Sequence, residues 1–265
     1  MLDEENVILE YDPNSFIACI SRGKICLEQE QYEEAIKEFN KAIKLDPNNS
    51  AAFVGRGRAY RHEIEFEKSI KDFNEAIRLD PNSSVAFGGR GVTYEWMEKY
   101  NEAIIDLNEA ARLDPDNSSV YIQRGSVYME QEQYNMAFKD FNEAIRLTPD
   151  NPSGYFQHGR ICFVQGLYDM AIKDFTEVIR LNPNYALGYG RYGVAYLWRG
   201  RSYMAQEQYN MALNDLNEAI RLDPSNALAY GMRGEIYKKQ GLHDMAGKDF
   251  NKANRLDPNN SFGRQ

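Results

Sequence analysis

The sequence predicts an all-α protein that forms a solenoid of helical hairpins, and the regular spacing of its prolines is the first reason. Eight of the nine prolines recur at steps of 34 residues, with one step of 41. They are Pro13, Pro47, Pro81, Pro115, Pro149, Pro183, Pro224 and Pro258. A fixed period of this length marks a repeat architecture, in which each repeat is one supersecondary unit stacked on its neighbours.

The second reason is that other residue types recur in register with the prolines. Each repeat has a glycine in one shared column, and a tyrosine or cysteine follows it three residues later. The glycines are Gly23, Gly57, Gly91, Gly125, Gly159, Gly200 and Gly234. Further columns begin with Ala35, Phe39 and Ala42. Spacings of three, four and seven are helical, and small residues in facing helices let two backbones approach closely.

The third reason is the segment that closes each repeat. It reads Leu-Asp-Pro-Asn or a close variant, as at 79–82. Proline ends a helix because it lacks an N–H and restricts the residue before it. A following serine or asparagine, such as Ser83, can cap the next helix. Each repeat is therefore predicted to be a helix, a short turn and a second helix.

This pattern resembles the tetratricopeptide repeat, whose small-residue, aromatic and proline columns match those of the chain over about 16–260. The resemblance implies a right-handed α-α superhelix. Its seven units would be 16–49, 50–83, 84–117, 118–151, 152–185, 186–226 and 227–260. Cys19, Val178 and His243 depart from the family's pattern, and these departures concern local packing rather than the fold.

The sixth unit contains seven extra residues and an Arg-Gly-aromatic pattern that occurs twice, around Gly193 and Gly200. Seven residues are close to two helical turns, so such an insertion nearly preserves the buried face of a helix. We therefore expect the first helix of this unit to be about two turns longer than its counterparts, with Trp198 near the extension. A looped-out bulge is the alternative.

The two ends of the chain are expected to be open. Residues 1–15 look like the tail of an eighth, partial repeat, and 261–265 form a short tail where a next helix would begin. Solenoids need polar capping elements at their ends, and the sequence shows none. The chain is therefore expected to be a piece of a longer protein, or to have an end covered by another copy.

Composition limits the possible partners. The net charge of −9 argues against a general binder of nucleic acids or anionic membranes, which needs a basic surface. No apolar run is long enough for a transmembrane helix, and residues 1–6 lack the basic start and apolar core of a signal peptide. A cytoplasmic location is expected. Three cysteines give no disulfide framework.

The sequence gives no reason to expect catalysis. His62, His158 and His243 fall in three different units, which a solenoid holds apart, so they cannot share a metal. We find no metal-binding spacing of cysteine and histidine, no phosphate-binding loop and no nucleophile motif. We therefore expect neither enzymatic activity nor a cofactor or bound metal.

The resemblance also implies where a partner binds, because the first helices of such repeats line the concave surface. A groove would form from first-helix residues that packing does not use. The predicted contacts are Ile20, Lys24, Leu27, Val54, Arg58, Arg61, Ile122, Met129, Phe156, Arg160, Phe163 and Arg201. Apolar groups mixed with arginines suit protein partners, and the arginines suggest a ligand that presents carboxylates.

The predicted function is therefore a protein–protein interaction scaffold that holds a peptide or a segment of a partner protein, with no nucleic acid bound and no membrane insertion. Two alternatives stay open at this point. The chain could be a structural solenoid that forms homo-oligomers through its uncapped ends. It could also be the interaction arm of a larger enzyme or secretion machine.

Overall fold

The computed structural model describes residues 15–183, 193–259 and 262–263, and within these ranges the chain forms fourteen α-helices and no β-strand. The helices fall into two compact units, Met1–Gln133 and Tyr134–Gln265, which we call the N-terminal and the C-terminal unit. Inside each unit consecutive helices pack on one another in chain order. The predicted all-α solenoid of helical hairpins is confirmed.

The described residues of the N-terminal unit form seven helices. They are α1 (Phe16–Glu28), α2 (Tyr32–Leu45), α3 (Ser50–His62), α4 (Phe66–Leu79), α5 (Ser84–Trp96), α6 (Tyr100–Leu113) and α7 (Ser118–Glu130). The pairs α1/α2, α3/α4 and α5/α6 are hairpins, and each following first helix packs on the second helix before it.

The C-terminal unit contains the other seven described helices. They are α8 (Tyr134–Leu147), α9 (Pro152–Val164), α10 (Tyr168–Leu181), α11 (Val194–Ala205), α12 (Tyr209–Leu222), α13 (Ala227–Lys239) and α14 (His243–Leu256). The pairs α9/α10, α11/α12 and α13/α14 are hairpins. We call the odd-numbered helices first helices and the even-numbered helices second helices.

The Asp-Pro-Asn segment between repeats acts both as a turn and as a helix cap. The Asp46 carboxylate accepts a hydrogen bond from the backbone N–H of Asn48 (3.1 Å). Asn49 then caps α3, because its side-chain oxygen accepts from the N–H of Ala52 (3.4 Å). These side chains satisfy N–H groups that the start of a helix leaves unpaired.

The phenylalanine column fills the space between neighbouring hairpins. Phe73 on α4 is fully buried, and its ring lies against α3 and α5. A Cβ atom on Gly57 would lie 3.2 Å from the ring, and one on Gly89 would overlap it. Glycine at both positions therefore lets the two first helices approach the same ring.

A buried ion pair joins the two helices of most described repeats. Arg56 on α3 donates to both carboxylate oxygens of Asp72 on α4, at 2.7 Å each. The pairs Arg90–Asp106, Arg199–Asp215 and Arg233–Asp249 repeat this bidentate contact. Arg56 also donates to Asn40 on the preceding second helix (2.6 Å), so that one guanidinium links three helices.

The turn between the two helices of a repeat places one residue in the left-handed region of backbone space. These residues are Glu30, Ile64, Glu98, Glu132, Gly166, Glu207 and Gly241, with φ between 58° and 75°. The next N–H reaches back to the helix, as from Gln31 to the Cys26 carbonyl (2.8 Å). This geometry ends each first helix by satisfying its last carbonyl groups.

The prediction of a lengthened first helix in the sixth repeat is wrong. Helix α11 has 12 residues, whereas the other first helices have 13. Gly193, at its start, has φ of 74°, which an α-helix cannot accommodate. The helix therefore cannot continue toward the N-terminus, and the extra residues precede it in 184–192, which lie outside the described residues.

The described C-terminal residues contribute a contact that the sequence analysis did not anticipate. The backbone N–H of Phe262 donates to the Asn254 side chain (2.9 Å), which in turn donates to the Phe262 carbonyl (3.2 Å). The Phe262 ring occupies the space where a side chain at Gly231 would lie. Phe262 thus covers part of the last hairpin. The predicted partial repeat at 1–15 lies, apart from Ser15, outside the described residues.

Candidate partner-binding surface

Two positions on the first helices vary from repeat to repeat while the packing columns stay nearly constant. The first position holds Lys24, Arg58, Val92, Ser126, Arg160, Arg201 and Glu235. The second holds Leu27, Arg61, Glu95, Met129, Phe163, Met204 and Lys238. We call them the variable columns. All fourteen side chains are at least partly exposed, so the fold leaves them available for contacts with a partner.

The N-terminal unit has a cavity of about 440 Å³ on its first helices. It is lined by Leu27, Glu28, Arg58, Arg61, His62, Ser84, Val85, Gly88, Gly89, Val92, Asn117, Ser119, Val120 and Gln123. These residues belong to α1, α3, α5 and α7 or cap their starts, and none belongs to a second helix. We call it the arginine cavity, after its two arginines.

The arginine cavity is unusual because several of its polar groups lack partners. The Nε atom of Arg61 is buried without a hydrogen bond, and one of its terminal nitrogens lies 3.4 Å from the Gly89 carbonyl. The Ser84 hydroxyl is also buried and unpaired. Arg58 makes no hydrogen bond or ion pair with any described residue. The protein itself therefore leaves donor groups unused at this site.

Burial and like charge both act on these guanidinium groups. Burial and the nearby charge of Arg58 together lower the pKa of Arg61 to about 10. Burial also lowers the pKa of Arg58. The charge of Glu95 acts on Arg61 in the opposite direction. The pKa of Glu95 itself is raised to about 7, mainly by burial and also by Glu130, while Arg61 acts in the opposite direction. An anion in the cavity would stabilise both arginines.

Aromatic rings hold one side of the arginine cavity in place. His62 stacks on Tyr32 with ring centroids 4.5 Å apart, and it meets the edge of Trp96 at 5.6 Å. Arg61 lies 5.6 Å above the Trp96 ring. Because these rings pack against one another, the arginine side chain has a fixed support.

The C-terminal unit carries a separate cluster on α9 and α11. The guanidinium of Arg201 lies 4.3 Å from the centroid of the Trp198 ring and 4.9 Å from that of Phe163. Arg160 lies 5.8 Å from the Trp198 centroid and donates to Gln157 (2.8 Å). Cation–π contacts of this kind orient a guanidinium without neutralising it.

Most of the predicted contact residues lie on the surface of the first helices. Leu27, Arg58 and Arg61 line the arginine cavity, and Arg160, Phe163 and Arg201 form the cluster with Trp198. Lys24 is exposed, and Ile122 and Met129 are half-buried, all three outside the lining of the cavity.

Three predicted contact residues belong to the hydrophobic core instead. Ile20 and Val54 are each 9% exposed, and Phe156 is fully buried against Phe175. They occupy one position of the repeat, which in the sixth repeat holds the buried Leu197. This position faces neighbouring helices, so that the prediction of partner contact was wrong for these three side chains.

Sequence reasoning assigned no partner contact to several residues that line the cavity. Asn117 and Ser84 lie at the starts of helices, where the sequence predicts turns and caps, and no sequence pattern distinguishes Gln123. One usable indication was the pair Gly88–Gly89, because no other repeat has glycine at both of these positions. The missing side chain at Gly88 leaves room above α5, since an added Cβ there would meet other atoms only at 3.9 Å, whereas the Phe73 ring takes up the space at Gly89.

Although the sequence shows no metal-binding spacing of cysteine and histidine, these two residue types come together at one place in the structure. His158, Cys162 and Asp174 bring a nitrogen, a sulfur and an oxygen within 4.8 Å of one another. The cluster lies inside the C-terminal unit, on α9 and α10. It is separate from the surfaces described above.

Comparison with known families identifies the class of protein. Models described as "TPR repeat" match residues 23–63, 125–159 and 200–241, and those described as "Tetratricopeptide repeat" match 50–83, 86–117, 152–185 and 227–260. Together they cover more than half of the chain, which therefore belongs to the tetratricopeptide repeat family. Proteins of this family are typically non-enzymatic scaffolds that bind protein or peptide partners.

Solved structures support the same fold. The APC/C hetero-tetramer Cut9-Hcn1 matches with a TM-score of 0.80 and 18% identity, covering 97% of this chain and 49% of that one, so that this chain spans about half of its length. YrrB, described as a TPR protein with an unusual peptide-binding site, matches with a TM-score of 0.55 and 25% identity over 72% of this chain and 95% of that one. A tetratricopeptide repeat protein from Parabacteroides merdae matches with a TM-score of 0.65 and 19% identity, covering 92% and 94%.

Two further searches gave negative results. No curated protein matches the chain. Among the described residues, no helix combines the length and the apolar character that crossing a bilayer requires.

Proposed function

We propose that this chain is a non-enzymatic interaction scaffold that binds an acidic segment of a partner protein on the first helices of the N-terminal unit. The arginine cavity would anchor that segment. The observation that supports this proposal is the group of unpaired donors at the cavity, on Arg58, Arg61 and Ser84. A buried polar group without a partner costs about 1–3 kcal/mol, which a bound acceptor would recover.

An acidic ligand is favoured because most other arginines among the described residues already have carboxylate partners. On the first helices Arg22 pairs with Glu38, and four further arginines bond the buried aspartates described above. Five arginines on the second helices pair with a glutamate three residues earlier, namely Arg78–Glu75, Arg112–Glu109, Arg146–Glu143, Arg180–Glu177 and Arg221–Glu218. Arg58 and Arg61 lack such a partner among the described residues, and a carboxylate is the ligand that guanidinium binds best.

A polypeptide segment suits the cavity better than a compact small molecule. Four consecutive first helices supply the lining, so the site extends across the stacked hairpins. A volume of about 440 Å³ can accept one or two side chains of such a segment. The related protein YrrB is described as having a peptide-binding site, which agrees with this use of the fold.

We further propose that Arg201, Phe163 and Arg160 on the C-terminal unit contact a partner, as do Lys24, Ile122 and Met129. Arg201 has no carboxylate partner among the described residues and lies over two aromatic rings. Aromatic residues and arginine are the side chains that dominate binding energy at protein interfaces.

A peptide-display selection on the full chain tests the main proposal. Selected peptides should be enriched in Asp and Glu, and replacing their carboxylates with amides should weaken binding. By fluorescence anisotropy, Arg58→Ala and Arg61→Ala should each raise the Kd about 10- to 100-fold, because each removes a charged hydrogen-bond donor at the anchor. Arg112→Ala removes an exposed arginine from a second helix and should leave the Kd unchanged.

A second variant fills the cavity without removing charge. A Cβ atom at Gly88 would meet other atoms only at 3.9 Å, so there is space for the start of a side chain, and Gly88→Leu should fill the cavity and block binding. Selected peptides without acidic residues, or equal affinity for the acidic and amide forms, would contradict the proposal. Unchanged affinity in Gly88→Leu would place the binding site elsewhere.

A further inference from the structure

The fifth repeat differs from the others at two neighbouring positions of the same helix. The other six repeats have an arginine at one position of the first helix, and four of these arginines pair with a buried aspartate, whereas α9 has His158 there. One helical turn later, where five repeats have tyrosine, α9 has Cys162. The aspartate of this repeat, Asp174, is retained on α10. The fifth repeat therefore has two residues of metal-binding type, His158 and Cys162, beside the retained carboxylate of Asp174.

The three side chains converge at one buried point of the C-terminal unit. His158 Nδ1 lies 2.6 Å from Asp174 Oδ2, and Cys162 Sγ lies 3.7 Å from His158 Nδ1. The histidine is 5% exposed and the cysteine is fully buried. The Asp174 side chain is 12% exposed, so that solvent reaches the cluster from its side.

The charge of the buried aspartate is balanced differently in this repeat than in the others. In four repeats a guanidinium satisfies both oxygens of the buried aspartate, whereas His158 bonds only one oxygen of Asp174. The opposite ring nitrogen, Nε2, is buried without a hydrogen bond among the described residues. A neutral imidazole leaves the carboxylate charge uncompensated. A divalent cation bound by one carboxylate and one thiolate would give a site of zero net charge.

We propose that His158, Cys162 and Asp174 form a binding site for a divalent metal ion, with Zn²⁺ as the best match to a nitrogen, sulfur and oxygen donor set. Zinc–ligand bonds of about 2.0–2.3 Å in a tetrahedron separate the ligand atoms by about 3.3–3.5 Å. The distance between sulfur and nitrogen is already close to this value. The distance between nitrogen and oxygen would lengthen as the metal replaces the shared hydrogen, and a water molecule entering past Asp174 would complete the tetrahedron.

Binding releases one proton. The Cys162 thiol loses its proton to solvent and coordinates as the thiolate, and the imidazole carries its proton on Nε2 so that Nδ1 can coordinate. Burial and the charge of Asp174 raise the pKa of the thiol to about 12. The metal therefore competes with a tightly held proton, as expected at a coordinating thiol.

Cobalt binding to the reduced full chain, first treated with EDTA and then dialysed, tests this site. Co²⁺ should bind with one equivalent per chain and give a thiolate-to-cobalt charge-transfer band, which Zn²⁺ should then abolish. Loss of a supporting partner costs about 10- to 100-fold in metal affinity, so Cys162→Ser and His158→Arg should each weaken Zn²⁺ binding by at least about 100-fold.

The chain offers its own controls for folding and specificity. His158→Arg and the double variant His158→Arg/Cys162→Tyr restore the residues that other repeats have, so these variants should fold, as circular dichroism can show. Cys19→Ser and Cys26→Ser should leave the charge-transfer band unchanged. The absence of this band in the folded wild-type chain, or its persistence in Cys162→Ser, would overturn the proposal. Metal bound only by exposed carboxylates gives no such band and would count against it.

Discussion

At the scale of single residues, the buried aspartates of the second helices depend on the arginines that bind them. Asp106 is 3% exposed, and Arg90 donates to both of its oxygens at 2.7 Å. A carboxylate removed from water is strongly destabilising unless it is paired. The arginine is therefore part of the folding of the hairpin and is not available to a partner.

Arg90→Ala should lower the free energy of unfolding by about 3 kcal/mol, because it leaves Asp106 buried without its counter-charge. Urea unfolding followed by circular dichroism measures this loss. Arg112→Ala, which removes an exposed pair with Glu109, should change the free energy of unfolding very little. Equal losses in the two variants would show that the buried pair has no special role.

The raised pKa of Glu95 predicts that the free energy of unfolding depends on pH. Its pKa in the folded protein is raised from 4.5 to about 7, mainly by burial. Between these pH values the folded chain holds a proton that the unfolded chain has lost, so the free energy of unfolding should fall as pH rises. Urea unfolding at about pH 5 and pH 7.5 should show a smaller fall in Glu95→Gln than in the wild type. Glu102→Gln, on the exposed side of α6, should behave as the wild type.

At the scale of elements, the turn inside each repeat shows how much backbone strain the fold accepts. Five repeats place a glutamate or an isoleucine in the left-handed region, and two place Gly166 or Gly241 there. Residues other than glycine pay about 1–2 kcal/mol for this conformation. The turn therefore imposes the left-handed conformation at this position, whichever residue occupies it.

Gly166→Ala should destabilise the chain by about 1 kcal/mol, although a Cβ atom there would touch nothing within 4 Å. The cost comes from the backbone conformation alone. The reverse change at the equivalent position, Ile64→Gly, should stabilise by about 0.5–1 kcal/mol, since Ile64 is 69% exposed and loses few contacts. Thermal unfolding of both variants tests the pair, and effects of the same sign would contradict the argument.

Gly193 combines this backbone requirement with close packing. Its φ is 74°, and an added Cβ would lie 3.1 Å from Leu222 and 3.2 Å from Ala219 on α12. Gly193→Ala should therefore cost more than Gly166→Ala, about 2–3 kcal/mol. Comparing the two variants in urea separates the steric part from the backbone part. A smaller loss at Gly193 would mean that α11 can begin differently.

The elements were predictable from the sequence because each packing column appears seven times. The turn chemistry around Pro81 and the helical spacing of Ala35, Phe39 and Ala42 are local features, and repetition makes them unambiguous. The start of α11 was not predictable, because the Arg-Gly-aromatic pattern occurs twice and the sequence does not show which glycine ends up at positive φ. The structure decides in favour of Gly193.

At the scale of the whole molecule, each hairpin contacts only its neighbours within a unit. Stability in such a stack is close to a sum of repeat terms and nearest-neighbour terms. Phe73 belongs to one of these nearest-neighbour contacts, since its ring touches both α3 and α5. Loss of the Phe73 side chain should therefore destabilise only its own hairpin and the adjacent ones.

Phe73→Ala should cost about 3–5 kcal/mol in local stability, because the ring is fully buried. Hydrogen exchange measured by mass spectrometry should show faster exchange in α3 to α6. The hairpin α13/α14 of the C-terminal unit should keep the protection of the wild-type chain. Uniform loss of protection through all described helices would show that the chain unfolds as one cooperative body.

Only part of the candidate site could be predicted from the sequence. Helical spacing placed Arg58 and Arg61 on the surface of the first helices, and the structure agrees. The same spacing placed Phe156 there, although packing between neighbouring helices buries it. The cavity itself depends on the absent side chain at Gly88 and on the burial of Ser84. These are properties of several helices together, which no single repeat displays.

The variable columns have one more consequence. Seven hairpins with nearly the same packing residues hold seven different pairs of side chains at these two positions, such as Arg58 with Arg61 and Val92 with Glu95. The repeats of the chain can therefore be compared with one another. Positions that stay constant are required for folding, and positions that change are not. Under the proposed function, exchanging such pairs between hairpins should change which partner the chain binds, while the packing columns that form the fold stay the same.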